Sequence, residues 1–322
     1  MDLKQLTALV TVAEVGSITK AARLLHLVQP SVTRQIRLLE EELGVPLFRR
    51  TASGMTPTPE GALLAERARR VLQEIARARA EIRPDPGGLT GIVTLGLLES
   101  VVQIVAEPLV RALATRHPGI DLRLMTAYSG HLQEWLDLGD VDLSLLYNLD
   151  SSPSLAVTPL VEEELWAVAP PGSDLVPESP VECRVLLEHP LVLPVSGHGL
   201  RALIDRARAT IDTQPQIAVE VNSMQLQKTL VQAGHGWTVL PAAGVSRDVE
   251  SGLLVGAPLR DPHVTRQVVL GLQRSGRTPA PVEAVAAEVV RVVRRLVLDG
   301  VWTGAQLSAA LAERSTAAAP HA

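Results

Sequence analysis

Residues 16–36 read Gly16-Ser17-Ile18-Thr19-Lys20-Ala21-Ala22-Arg23-Leu24-Leu25-His26-Leu27-Val28-Gln29-Pro30-Ser31-Val32-Thr33-Arg34-Gln35-Ile36. Two helices and a turn can be read from it. Gly16 ends a preceding helix and Ser17 caps the next, because a serine hydroxyl accepts from the unpaired amides of a first turn. The helix over residues 18–25 carries Ala21 and Ala22, small enough for close helix approach. Residues 26–29 turn. Pro30 then suits the first turn of a third helix, where its missing N–H would be unpaired anyway. That helix runs to Leu43 and stops at Gly44. At ~100° per residue, Val32, Ile36, Leu39 and Leu43 align within about 40° as a buried face. Arg34 lies nearly opposite, flanked by Ser31, Thr33 and Arg37. Such a pair, with polar and arginine side chains outward on the second helix, describes a helix-turn-helix.

Working outward, Leu3, Leu6, Val10 and Ala13 predict a first helix over residues 3–15. Downstream, Pro46 breaks the chain. Residues 47–50 and 55–58 bracket Thr51-Ala52-Ser53-Gly54, a hairpin signal for a wing. Thr58-Pro59-Glu60 opens a further helix with a cap, a first-position proline and an acid in the first turn. Along it Leu64, Ala68, Val71, Ile75, Ala78 and Ile82 recur as a heptad seam. The seam needs a partner, either within the chain or on a second copy; the preceding helix-turn-helix favours a dimer. Pro84-Asp85-Pro86-Gly87-Gly88 reads as a hinge. Strand and helix candidates then alternate up to residue 298, an α/β body. The strands are expected at 92–97, 120–126, 142–147, 165–169, 191–194, 217–221, 238–240 and 267–272. Residues 301–322 read as an alanine-rich tail with a marginal helix.

The chain has 322 residues and 46% apolar content, which suits two or three globular domains. Its net charge of −5 is uneven. Residues 1–83 hold 13 Lys and Arg against 9 Asp and Glu, and the rest is acidic. A basic end on an acidic body suits one nucleic-acid-binding end. No signal peptide or spanning segment is read, so a cytoplasmic protein without membrane contact is expected. The lone Cys183 excludes an internal disulfide framework. No G-x-S-x-G, phosphate-loop or H-E-x-x-H pattern occurs. Neither an enzyme, nor a metal, nor a cofactor is expected. A transporter's solute-binding protein, the remaining alternative, would not carry the helix-turn-helix.

The ordered set Gly16 to His26, Gln29 to Ile36, Leu39-Glu40, Leu43-Gly44, Leu47-Phe48, Arg50 and Thr58-Pro59-Glu60-Gly61 resembles the LysR-type transcriptional regulators. Segments such as 97–101, 129–132, 221–223 and 236–241 are similar to their nitrogen-assimilation-control branch. The resemblance implies a winged helix-turn-helix domain (1–58), a dimerising linker helix (59–83) and a hinge (84–90). An effector domain like a periplasmic binding protein follows (91–300), with a tail at 301–322. One subdomain would comprise 91–162 and 267–300, the other 163–266, with chain crossings near residues 162–164 and 266. Val28 departs from the family's usual serine, and Asn222 stands where this branch often has aspartate.

DNA contacts are expected from Gln29, Pro30, Ser31, Thr33, Arg34 and Arg37 on the recognition helix, and from Arg49 and Arg50 on the wing. Gln suits adenine and Arg suits guanine. The resemblance places a small, anionic effector between the subdomains, near Glu99, Ser100, Ser129, Ser196, His198, Arg201, Asn222, Ser223 and Thr238, since helix N-termini favour anions. Each serine is either a helix cap alone or a cap that also meets ligand. His198 is either an exposed loop residue or a contact. Expected partners are double-stranded promoter DNA, the effector, a second copy as homodimer or homotetramer, and RNA polymerase.

Overall fold

The computed structural model describes residues 1–51, 54–82, 89–149, 152–209, 211, 215–274 and 278–316. The chain divides into two units, Met1–Pro86 and Gly87–Ala322.

In the first unit, α1 (Leu3–Val15) starts at a capping box. Asp2 accepts from the Gln5 N–H at 2.9 Å, and the Gln5 side chain accepts from the Asp2 N–H at 2.7 Å. Gly16 ends the helix with φ 62°, a left-handed conformation that favours glycine. Ser17 caps α2 (Ile18–Leu24), and α3 (Gln29–Leu43) ends at Gly44. Leu9, Val12, Ala21, Ala22, Val32, Ile36 and Leu39 form one core with Leu47 and Phe48. Leu43, expected on the buried face, is 43% exposed because the last turn of α3 runs past this core.

Strands β1 (Phe48–Thr51) and β2 (Gly54–Pro57) pair antiparallel, with Phe48 opposite Pro57. Ala52 and Ser53 of the expected turn lie outside the described residues. Helix α4 (Pro59–Ile82) is fastened at its start. The Thr58 hydroxyl donates to the Pro46 carbonyl at 2.7 Å and accepts from the Gly61 N–H at 3.0 Å. A Cβ at residue 61 would stand 1.9 Å from the Leu47 carbonyl oxygen, so only glycine fits. The heptad seam is only partly free. Ala68 is buried and Leu64 packs on the core of this unit, so these positions have an intramolecular partner, while Val71 and Ala78 are exposed. The Ile82 side chain and most of the hinge lie outside the described residues.

The second unit begins with β3 (Gly91–Leu98), α5 (Val102–Arg116), β4 (Ile120–Ala127), α6 (Ser129–Leu138), β5 (Leu143–Tyr147) and the long β6 (Leu155–Ala169). It continues with β7 (Val181–Glu182), α7 (Cys183–Leu187), β8 (Leu191–Pro194), α8 (Gly199–Ala209), β9 (Ile217–Val221) and α9 (Met224–Gln232). Next come β10 (Thr238–Pro241), α10 (Ala242–Glu250), β11 (Val255–Arg260), β12 (Thr265–Gln273) and α11 (Ala280–Leu298). Last are β13 (Ala305–Leu307) and α12 (Ala309–Thr316).

The main sheet follows the order β4-β3-β5-β12-β6-β11-β7, with β10 and β13 also on β6. β3 is parallel to β4 and β5, as crossover helices require. Two apolar cores result. One joins Leu95, Leu97, Leu109, Leu132, Leu143, Val269, Val289 and Trp302. The other joins Leu165, Val168, Leu191, Leu193, Val231, Leu240 and Leu259. β6 serves both: its first part pairs with β12, and residues 165–169 pair with β10 and β11. The chain therefore passes between cores at Glu163 on β6 and at Arg266 on β12, which face each other in register.

The residues expected to form a tail are structured through Thr316. Trp302 is 1% exposed, β13 adds to β6 and Leu311 joins the first core. No helix among the described residues is long and apolar enough to cross a membrane.

Candidate functional site

The outer face of α3 holds every expected helix contact in a solvent-facing row. Gln29, Pro30, Thr33, Arg34 and Arg37 are exposed and Ser31 is half-buried. Residues three or four apart share a helix face, so Pro30, Thr33, Arg34 and Arg37 form one edge. The Thr33 hydroxyl donates back to the Gln29 carbonyl at 3.1 Å, and Arg37 pairs with Glu41 at 3.1 Å. Val28 occupies the N-cap of α3 with no side-chain cap, and Gln29 does not supply one. Glu40 turns inward and fixes the wing: its Oε1 accepts from the Leu47 and Phe48 N–H groups at 2.8 and 3.3 Å. Arg49 and Arg50 follow on β1, both exposed.

In the second unit, a small cavity opens where the two cores meet. Leu98, Ala127, Pro194, Leu200, Met224, Leu240 and Pro241 give it apolar walls. Glu99, Ser100, Tyr128, Tyr147, His198, Gln227 and Arg266 supply its polar groups. Arg266 is 3% exposed and pairs with Glu163, which is wholly buried. The Trp302 indole N–H donates to the other Glu163 oxygen at 2.7 Å. Arg266 Nη2 also donates to Ser100 Oγ at 2.6 Å, and the guanidinium lies 5.0 Å from the Tyr147 ring centroid. A buried chain of contacts thus runs from the C-terminal segment to the cavity wall.

His198 Nδ1 accepts from the Leu200 N–H at 3.1 Å, which leaves the proton on Nε2, and the Tyr147 hydroxyl stands 3.3 Å from Nε2 and 3.5 Å from Nδ1. The Tyr128 ring meets the imidazole edge-on at 4.0 Å. Burial, then Arg266 and then His131, push the His198 pKa down to about 4, so the ring is neutral at pH 7. Burial holds both tyrosines above the usual phenol range, aided at Tyr128 by Glu99. Glu99 Oε2 accepts from the Met224 N–H at 3.2 Å, joining the end of β3 to the start of α9.

Of the residues expected around the effector, Glu99, Ser100 and His198 line this cavity. The others do not. Ser129 is buried behind it, accepting from the Tyr147 N–H at 3.1 Å. Ser196 and Asn222 are exposed, and Ser223 caps α9 through the Leu226 N–H at 3.3 Å. Thr238 is wholly buried, donates to the Val192 carbonyl at 2.6 Å and accepts from Gln227. Arg201 points away, held by Asp205, by Glu220 and, at 3.1 Å, by the Pro194 carbonyl. Tyr128, Tyr147, Met224, Gln227 and Arg266 were not anticipated. Composition held a hint: the chain has two tyrosines, and both line the cavity. Among the described residues no group of three or more His, Cys, Asp or Glu could hold a metal ion.

Comparison with known proteins matches both units. Residues 3–62 fit the bacterial regulatory helix-turn-helix protein of the lysR family, and residues 86–294 fit the LysR substrate binding domain. The HTH-type transcriptional regulator BbuR of Bordetella bronchiseptica is 30% identical over 94% of each chain. The nitrogen assimilation regulatory protein nac of Klebsiella aerogenes is 26% identical over 93% of this chain and 97% of its own. Full-length CbnR, solved in complex with its target DNA, has the same fold, with a TM-score of 0.66 at 22% identity over 92% of this chain and 99% of that one. So does a full-length OxyR variant from Pseudomonas aeruginosa, with a TM-score of 0.66 at 22% identity over 91% and 95%. Matched over both its DNA-binding and its effector-binding units, the chain belongs to the LysR family: it is a DNA-binding transcriptional regulator and not an enzyme.

Proposed function

We propose that this regulator reads promoter DNA in the cytoplasm through Gln29, Pro30, Ser31, Thr33 and Arg34, with Arg37, Arg49 and Arg50 holding phosphates. The observation that carries the reading is the division of α3 into a face buried by Val32, Ile36 and Leu39 and an exposed row ending in two arginines. A side chain with no folding role, placed on a helix that fits the major groove, is free to meet base edges. The exposed part of the linker seam, Val71 and Ala78, supports a second copy, as homodimer or homotetramer. Two recognition helices would then read a partly palindromic operator. A small molecule in the cavity, touching Glu99, Ser100, Tyr128, Tyr147, His198 and Arg266, sets the relation of the two cores and so the regulator's action with RNA polymerase. CbnR, solved in complex with its target DNA, supports the mode of use.

Titration against the duplex upstream of its own gene tests this reading. Binding should weaken steeply with salt, because neutralised phosphates release counterions. Arg49→Ala should lower that slope by about one for each copy bound. Equal binding to any duplex at every salt would exclude the reading.

A further inference from the structure

We propose that the effector admitted by the cavity is small, uncharged and predominantly apolar, presents a carbonyl or hydroxyl oxygen, and carries neither carboxylate nor phosphate. The proposal rests on the reading of this cavity as the effector site.

The sequence pointed to an anion because helix starts and an arginine attract one. In the folded chain all of these attractions but the start of α10 are met from within. The start of α9 is occupied by the Glu99 carboxylate, on the Met224 N–H at 3.2 Å. The start of α8 is occupied by His198 Nδ1, on the Leu200 N–H. α6 begins nearby, but neither Ser129 nor Gly130 lines the cavity. Arg266 is neutralised by the wholly buried Glu163, and its Nη2 is shared with Ser100. Arg201, the arginine expected there, is paired elsewhere.

The charges that remain at the wall oppose both kinds of ion. An anion meets Glu99, and a cation meets Arg266. Neither carries an uncommitted opposite charge to repay the loss of water. What remains favours a neutral guest. Seven apolar side chains and the rings of Tyr128, Tyr147 and His198 line the space. Arg266 donates from Nε to Glu163 and from Nη2 to Ser100, which leaves Nη1 to meet a guest, and α10 starts at the cavity wall, at Pro241, with no side-chain cap. One uncharged oxygen on the guest satisfies donors of this kind.

The test uses three probes with one ring and different charge: benzamide, benzoate and benzylammonium. Each is titrated into the full-length protein at neutral pH and followed by ligand-observed NMR. Benzamide should bind about tenfold more tightly than either ion. Glu99→Gln keeps an acceptor for the Met224 N–H and removes the charge; in it benzoate should gain about tenfold relative to benzamide. Ala127→Phe, on a half-exposed wall position, fills the cavity and should abolish binding while the melting temperature is kept. Tighter binding of benzoate or benzylammonium in the wild type, with loss in Ala127→Phe, overturns the ligand class and leaves the site standing. Binding of no probe, or binding unchanged in Ala127→Phe, overturns the site as well.

Discussion

Replacing Trp302 with phenylalanine keeps a ring in the first core and removes one N–H from a wholly buried carboxylate. Glu163 accepts from that N–H at 2.7 Å and pairs with Arg266, with no exposed surface at which water could substitute. A hydrogen bond to a buried charged group contributes about 1.5–3 kcal/mol. In a unit of this size that corresponds to a fall of roughly 3–12 °C in melting temperature at about 2–4 °C per kcal/mol. The assay is thermal unfolding of the full chain, read on the transition of the second unit. Trp302→Phe, Glu163→Gln and the double variant together separate the bond from lost packing. If the bond acts as described, the double variant differs from the sum of the singles by roughly 1 kcal/mol or more. Additivity within about 0.3 kcal/mol would refute the reasoning and leave Trp302 as packing alone.

Three further outcomes follow from other contacts. His198 binds its proton only near pH 4 when folded, against 6.5 in an unfolded chain, so the unfolded state holds more protons between those values and stability falls as pH drops through that window. His198→Asn, which can still accept from the Leu200 N–H, should flatten that part of the stability profile; an unchanged slope counts against the buried neutral ring. Cys183 donates to the Pro262 carbonyl at 3.3 Å and burial pushes its pKa up to about 11, so alkylation by iodoacetamide at mildly alkaline pH should be at least about a hundredfold slower in the folded protein than in urea. Comparable rates would contradict its placement. Glu40→Ala strips the Leu47 and Phe48 amides of their acceptor and should cost about 1–3 kcal/mol, weakening DNA binding through a loosened wing; unaltered stability would show those bonds to be dispensable.

The DNA-binding unit was legible because its signals are local. Ser17, Gly16, Gly44 and the Thr58–Gly61 pair mark helix ends within a few residues of the groups they satisfy. The strand bounds of the wing were off by one, and part of the linker seam proved to be core, because heptad spacing does not say which helix covers it. β6 was legible only after residue 165. Its first part contains Pro159, which breaks a ladder, and Glu162 to Glu164, which look like a solvated run. The ladder accommodates the proline through a register shift opposite Val268 and Val269, and alternation sends Glu163 inward to Arg266. The tail was missed because one tryptophan in an alanine-rich stretch carries little periodicity.

The cavity was the least legible part. Its wall is drawn from residues 98 to 266 and is assembled only by tertiary packing. Arg201 lies near Ser196 and His198 in sequence, yet Asp205 at i+4 is a visible sign that it is already paired. Arg266, in the middle of a strand, gave no comparable sign of a binding role.

The central claim, that the outer face of α3 reads sequence, is tested most directly by comparing duplexes selected from a random pool by the wild type and by Arg34→Ala, with both proteins shown to melt alike. The wild type should enrich a two-part motif, and the variant should lose discrimination at one base position in each half, a change of about 1–3 kcal/mol at that position. Recovery of the same motif with the same discrimination by both proteins would contradict the account.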